Sequence, residues 1–136
     1  MCTRFTLDIT TEGDCDIVNL TQPLQAHADK FRGEGLVHLF IVGSTAALTT
    51  IEYEPGLIQH DFKESLQKLV PDDVSYRHEL TWHDDNGHSH IRASLIGPSL
   101  SIPFKDGRLL TGEYQQAVLI DLDTRPRRRQ IICTVL

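Results

Sequence analysis

Four of the seven histidines fall in one stretch, HELTWHDDNGHSH from His78 to His90, with Glu79, Asp84 and Asp85 among them. Neutral imidazole and carboxylate are natural ligands of zinc and related divalent ions, and imidazole also exchanges protons near neutral pH. The His88-Ser89-His90 spacing lets both rings reach one ion if the segment is extended, so His78, His88 and His90 are the candidate metal ligands. No complete ligand-spacing motif is present. A polar surface loop with solvated or helix-capping histidines accounts for the same residues equally well.

A second group surrounds the Gly97-Pro98 turn: Arg92, Ser94, Ser99, Lys105 and Arg108. Guanidinium, hydroxyl and exposed backbone donors together suit a phosphate or carboxylate, although arginines near turns are ordinarily solvated. Glu52 closes an otherwise apolar strand and is either an exposed terminus, the commoner case, or a site residue at a sheet edge.

Several chemistries are absent. The sequence has no glycine-rich P-loop, no GxGxxG opening a helix and no GxSxG elbow, which argues against nucleotide hydrolysis, dinucleotide binding and a serine hydrolase. A formal net charge of -6 opposes the counterion-release attraction of nucleic acids. The one basic cluster, Arg125 with Arg127, Arg128 and Arg129, flanks Pro126 between two apolar runs and reads as a solvated turn. Cys2, Cys15 and Cys133 form no CxxC pair, so a cytoplasmic, reducing compartment is expected rather than a disulfide framework. No apolar run approaches the roughly 20 residues of a membrane helix, and MCTRFTLDIT lacks the layout of a secretory signal.

These residues need a scaffold, and a chain of 136 residues is of a size to form one domain, residues 1–136. Phe5, Leu7 and Ile9 alternate as a half-buried strand, and Gly13-Asp14 turns into a second strand near Asp16 to Leu20, an opening hairpin. Thr21 is placed to cap a helix at about 22–32. LVHLFIV and AALTTIEY read as two buried strands separated by Gly43 and Ser44. Ile58, Phe62, Leu66 and Leu69 then form the apolar stripe of a helix ending before Pro71, with Asp61 bordering the core and His60 facing solvent. Residues 71–87 read as a long loop. HSHIRASL is ambiguous between strand and helix; Asn86 as cap and Gly97-Pro98 as stop favour the helix. LSIPF, AVLIDLD and QIICTVL follow as three antiparallel strands closing the sheet.

The run HSHIRASLIGPSLSIPFKDGRLLTGEYQQAVLIDLD, followed by RPRRRQIICTVL, resembles the C-terminal half of the YjbQ-type family, and STAALT, Glu52, GLIQHDF, LVPDD and YRHE extend the likeness upstream. The resemblance implies an α+β fold, a β-sandwich of order ββαββαβββ, assembled as a homotrimer about a threefold axis. It also implies weak thiamine phosphate synthase activity: hydroxymethylpyrimidine diphosphate joins a thiazole phosphate, and pyrophosphate leaves. Such a reaction on a phosphorylated small molecule calls for a divalent metal, zinc or magnesium, with Arg92 and Arg108 neutralising the departing charge. Matched residue by residue, the family pattern carries over to Glu52, Asp61, His78, Asn86, His90, Ser94, Arg108, Gly112 and Gln115; His88 matches only members with histidine there. Glu52, Asp61 and His90 would be ligands or acid-base groups. Three positions depart from the pattern: Gly43 stands where many members have histidine, Tyr114 where tryptophan is usual, and Ile51 where asparagine is common. A non-catalytic trimeric metal- or anion-binding module and a metal-dependent hydrolase are the alternatives.

Overall fold

A computed structural model describes residues 3–136 of the chain, so Cys2 lies outside the described residues. The chain passes through β1 (Thr3–Thr11), β2 (Asp16–Asn19), α1 (Thr21–Ala28), β3 (Glu34–Ile41) and β4 (Ala46–Glu52). A π-helical turn (Leu57–Asp61) then runs into α2 (Phe62–Leu69), followed by α3 (Glu79–Trp82) and α4 (Gly87–Ile96). Four strands complete it: β5 (Ser99–Lys105), β6 (Arg108–Leu109), β7 (Gln115–Asp121) and β8 (Arg127–Val135). Two antiparallel sheets result, one ordered β1-β8-β3-β5-β6 and the other β2-β7-β4. This is the expected α+β sandwich; α4 is the helix favoured for HSHIRASL, and α3 and the short β6 are added to the expected order.

Burial explains the layering. Leu7, Val37, Leu39, Ile41, Ile102 and Ile131 of the larger sheet close on Ala46, Leu48, Ala117 and Leu119 of the smaller one, with Leu20 and Leu24 sealing the edge. Ala47, Val118 and Ile120 face the other way and are covered by Leu66 of α2 and Ala93 of α4. β7 is therefore buried on both faces, which is why AVLIDLD reads as a continuous apolar run. β3 differs: its inner face is buried, whereas Leu36 and Phe40, with Val42 just past its end, are 42–46% exposed.

Five local expectations are corrected. β1 and β2 are not a hairpin, because β1 pairs with β8 and β2 with β7 in separate sheets. Gly13, Asp14 and Cys15 all take positive φ, and the chain crosses between the sheets there. Thr21 does not cap α1; its hydroxyl accepts the Ala117 N–H and ties the helix to β7. The stripe of the second helix loses Leu69, which is 74% exposed. Its first turn is π-helical, with the Phe62 N–H donating to Leu57 O, so Ile58 and the later apolar positions do not belong to one uninterrupted α-helical period. Residues 71–87 are not wholly loop, since α3 lies within them. The last strands do not form one sheet: β5 and β8 flank β3, while β7 centres the other sheet.

Candidate functional site

α3 and α4 meet at the His78–His90 stretch, and their junction gathers three ligand-type side chains. His78 and Asp84, six residues apart, and His90, six further on, each offer one donor atom, all within 4.8 Å of one another. The His78 and His90 ring centroids are 4.7 Å apart. His78 Nε2 lies 3.3 Å from Asp84 Oδ1, yet the alignment makes no hydrogen bond, and Nε2 is the one fully buried side-chain polar atom without a partner among the described residues. An orphaned ring nitrogen facing a carboxylate is costly unless a third body satisfies both. Nitrogen and oxygen ligands of zinc stand about 2.0–2.2 Å from it and, in a tetrahedral site, about 3.4 Å from each other, so the trio would close by up to about 1.4 Å around an ion. Two imidazoles with one carboxylate make an open donor set that leaves room for water or substrate.

The surroundings orient this trio. His90 Nδ1 is 3.1 Å from Ser44 O, and a carbonyl can only accept, so Nδ1 carries the proton and Nε2 is free to coordinate. Glu79 accepts the N–H groups of Asp85 (2.6 Å) and Gly87 (3.0 Å), pinning the loop to the start of α4. Asn86 holds the N-cap position without capping. Its Nδ2 donates to Asp123 Oδ1, while its Oδ1 accepts the Ser89 hydroxyl and the Thr124 N–H. Burial opposes the charge of Asp123, but donors from Thr45, Arg125 N–H, Arg127 and Asn86 outweigh it and hold the carboxyl below its ordinary value.

The residues singled out from sequence are dispersed. His88 is buried and does not join the trio: two positions on an α-helix differ by about 200°, so His88 and His90 point apart once the segment is helical. Asp84 takes the third place; its only sequence signal was an acidic pair inside the histidine run. Arg92 is 2% exposed and donates to Val70 O and Gln67 Oε1, bracing α4 against the end of α2 rather than facing an anion. The Ser94 hydroxyl donates to His90 O within α4. Ser99 opens β5 opposite Phe40, whereas Arg108 lies beyond the other end of β5 in a cleft with Gln25, Asp29 and Asp106. Glu52 ends β4, about 20 Å from Ala46 at 3.3 Å per residue, and pairs with Gln115 beside exposed Tyr114. Asp61 does not border the core; it is exposed beside His60, also exposed, at 2.9 Å. The arginine cluster is only partly a solvated turn: Arg127 pairs with Asp123, and Arg129 is buried against Asp121.

The family model of UPF0047 YjbQ-like proteins matches residues 5–136. The chain belongs to this family. A UPF0047 protein of Archaeoglobus fulgidus is 31% identical over 130 residues, 96% of this chain and 98% of its own length. The UPF0047 protein YjbQ of Escherichia coli O157:H7 is 35% identical over 101 residues, 74% of this chain and 72% of its own. Among solved structures, a hypothetical protein of Aeropyrum pernix K1 superimposes with a TM-score of 0.88 at 27% identity, covering 98% of both chains. A YbjQ-like protein of unknown function from Sulfolobus solfataricus P2 gives 0.87 at 26% identity over 99% of this chain and 98% of its own. Within the YjbQ-like fold, Gly43 lies on the turn between β3 and β4, directly before the Ser44 that holds His90.

Proposed function

We propose that this YjbQ-like protein binds a divalent cation, zinc or magnesium, through His78, Asp84 and His90, and acts there on a small anionic or phosphorylated molecule. The orphaned His78 Nε2, facing Asp84 and His90, carries the reading. Two imidazoles in the donor set favour zinc over magnesium, which prefers oxygen. A cation here would supply charge neutralisation for phosphoryl oxygens. Asp84 would balance that charge, and His90, fixed by Ser44 O, would present Nε2 in a constant orientation. Weak thiamine phosphate synthase activity, with loss of pyrophosphate, is the reaction the family resemblance points to.

One observation favours a metal-dependent hydrolase instead. The synthase needs cationic side chains for the leaving pyrophosphate, and within one chain Arg92 is engaged internally while Arg108 lines a different cleft. A homotrimer is part of the proposal, since Glu52, Asp61 and Arg108 lie apart from the trio in one chain and would join it across an interface; a non-catalytic binding module is the remaining alternative. The decisive experiment is metal content per chain of untagged protein purified without chelator, beside His90→Ala. One equivalent in the wild type, reduced at least tenfold in the variant, is expected. No metal in either overturns the site. Formation of thiamine phosphate from both precursors, as against release of phosphate or pyrophosphate without the coupled product, then separates synthase from hydrolase.

A further inference from the structure

Arg129 lies on β8 with its side chain turned into the sandwich. A guanidinium has five N–H donors. Nε donates to Asp121 Oδ2 at 2.7 Å, and Nη2 donates to Asp121 Oδ1 at 2.9 Å and Thr45 Oγ1 at 2.7 Å. The two N–H groups of Nη1 have no acceptor among the described residues. Nη1 is nevertheless not sealed from solvent, because the only fully buried unpartnered side-chain polar atom there is His78 Nε2.

The free arm has a definite address. A Cβ built on Gly43, whose φ of +142° already disfavours an L side chain, would stand 2.6 Å from Arg129 Nη1, so a side chain there would crowd the arm out of its place. The next residue, Ser44, holds His90 Nδ1 at 3.1 Å through its carbonyl, and the chain advances only about 3.8 Å between the two. The fork of Asp121 fixes the guanidinium plane, which is how arginine is pre-organised for a planar or tetrahedral anion.

We propose that Arg129 is the anion-holding residue of this site, its Nη1 donating to a phosphate or carboxylate group of a ligand that also reaches the cation position at His78, Asp84 and His90. This rests on the metal-site reading and names the substrate contact that Arg92 and Arg108 do not supply in one chain. The glycine at position 43 then has a role of its own: it leaves the guanidinium room beside the trio.

The test is a titration of inorganic phosphate into untagged full-length protein, followed by phosphorus NMR, with metal content measured on the same samples. Wild type, Gly43→Ala, Arg129→Lys and His90→Ala are compared. Wild type is expected to bind phosphate, and Gly43→Ala and Arg129→Lys to bind at least tenfold more weakly with metal content unchanged. Phosphate binding equal to wild type in both variants, or none in wild type, overturns the proposal. Arg129→Lys also disturbs the buried Asp121 pair; if it does not fold, Gly43→Ala on its exposed turn decides alone. Absence of metal from wild type would sink the trio as a cation site while the phosphate titration still decides Arg129, so the two readings fail separately.

Discussion

At the scale of single residues, burial decides which ionisable groups are poised and which are inert. The Cys15 thiol is pushed up to about 11 and that of Cys133 to about 12 by burial, so neither is a nucleophile near neutral pH. His88 moves the other way: burial first, then the neighbouring Arg92 guanidinium, lower it below the ordinary 6.5. Its imidazole is thus neutral in the fold, whereas the unfolded chain takes up the proton more readily. The native state binds fewer protons in this window, so stability is complete above about 6.5 and falls as the pH drops below it. The urea midpoint should decline between pH 7.5 and 5.5, and His88→Asn should flatten that decline. An unchanged slope in the variant would assign the effect to another group. That His88 titrates against the fold while His90 faces a carbonyl was hidden in the sequence, where both are simply histidines two residues apart.

At the scale of elements, the junctions carry more constraint than the strands. Gly13 combines a φ of +79° with a Cβ position 2.5 Å from Arg125 O, at the point where the chain leaves the β1 sheet for the β2 sheet. A methyl there meets backbone on a neighbouring turn, so Gly13→Ala should cost about 3 kcal/mol, strain and overlap together. Gly33 has a similar φ of +70° but open space around it, and Gly33→Ala should cost about 1 kcal/mol. Urea denaturation of the pair measures the difference; equal losses would show that the sheet-to-sheet crossing tolerates displacement. The Gly13-Asp14 turn was legible as a turn, but a turn signal does not say which partner each flanking strand will choose. In the same way, the apolar spacing located the helix before Pro71, while the π-helical turn at Leu57–Asp61 and the exposure of Leu69 leave no mark in the period.

At the scale of the whole molecule, the outward apolar face of β3, with Leu36, Phe40 and Val42, and the exposed Trp82 and Leu95 near the trio are surfaces that assembly would cover. Sedimentation should give three times the mass of one chain, and Phe40→Glu should shift it toward the monomer; a wild-type monomer at micromolar concentration would confine the site to a single chain. Among the described residues no helix is long and apolar enough to cross a membrane. The sequence alone determined most of the elements, though not α3, β6 or the π-helical turn, because alternation, helical spacing and turn residues are local properties that survive in one dimension. It also marked the stretch that holds the candidate site, since the histidine-rich run is dense enough to stand out. Tertiary structure alone decided the membership of the site. Helical geometry turned His88 away from His90, the α3–α4 junction brought in Asp84, and strand length set Glu52 about 20 Å from the Ala46 end of β4. Packing engaged Arg92 internally and brought Arg129 against Gly43, because contacts between residues distant in the chain depend on how sheets pair and pack, which no local pattern encodes.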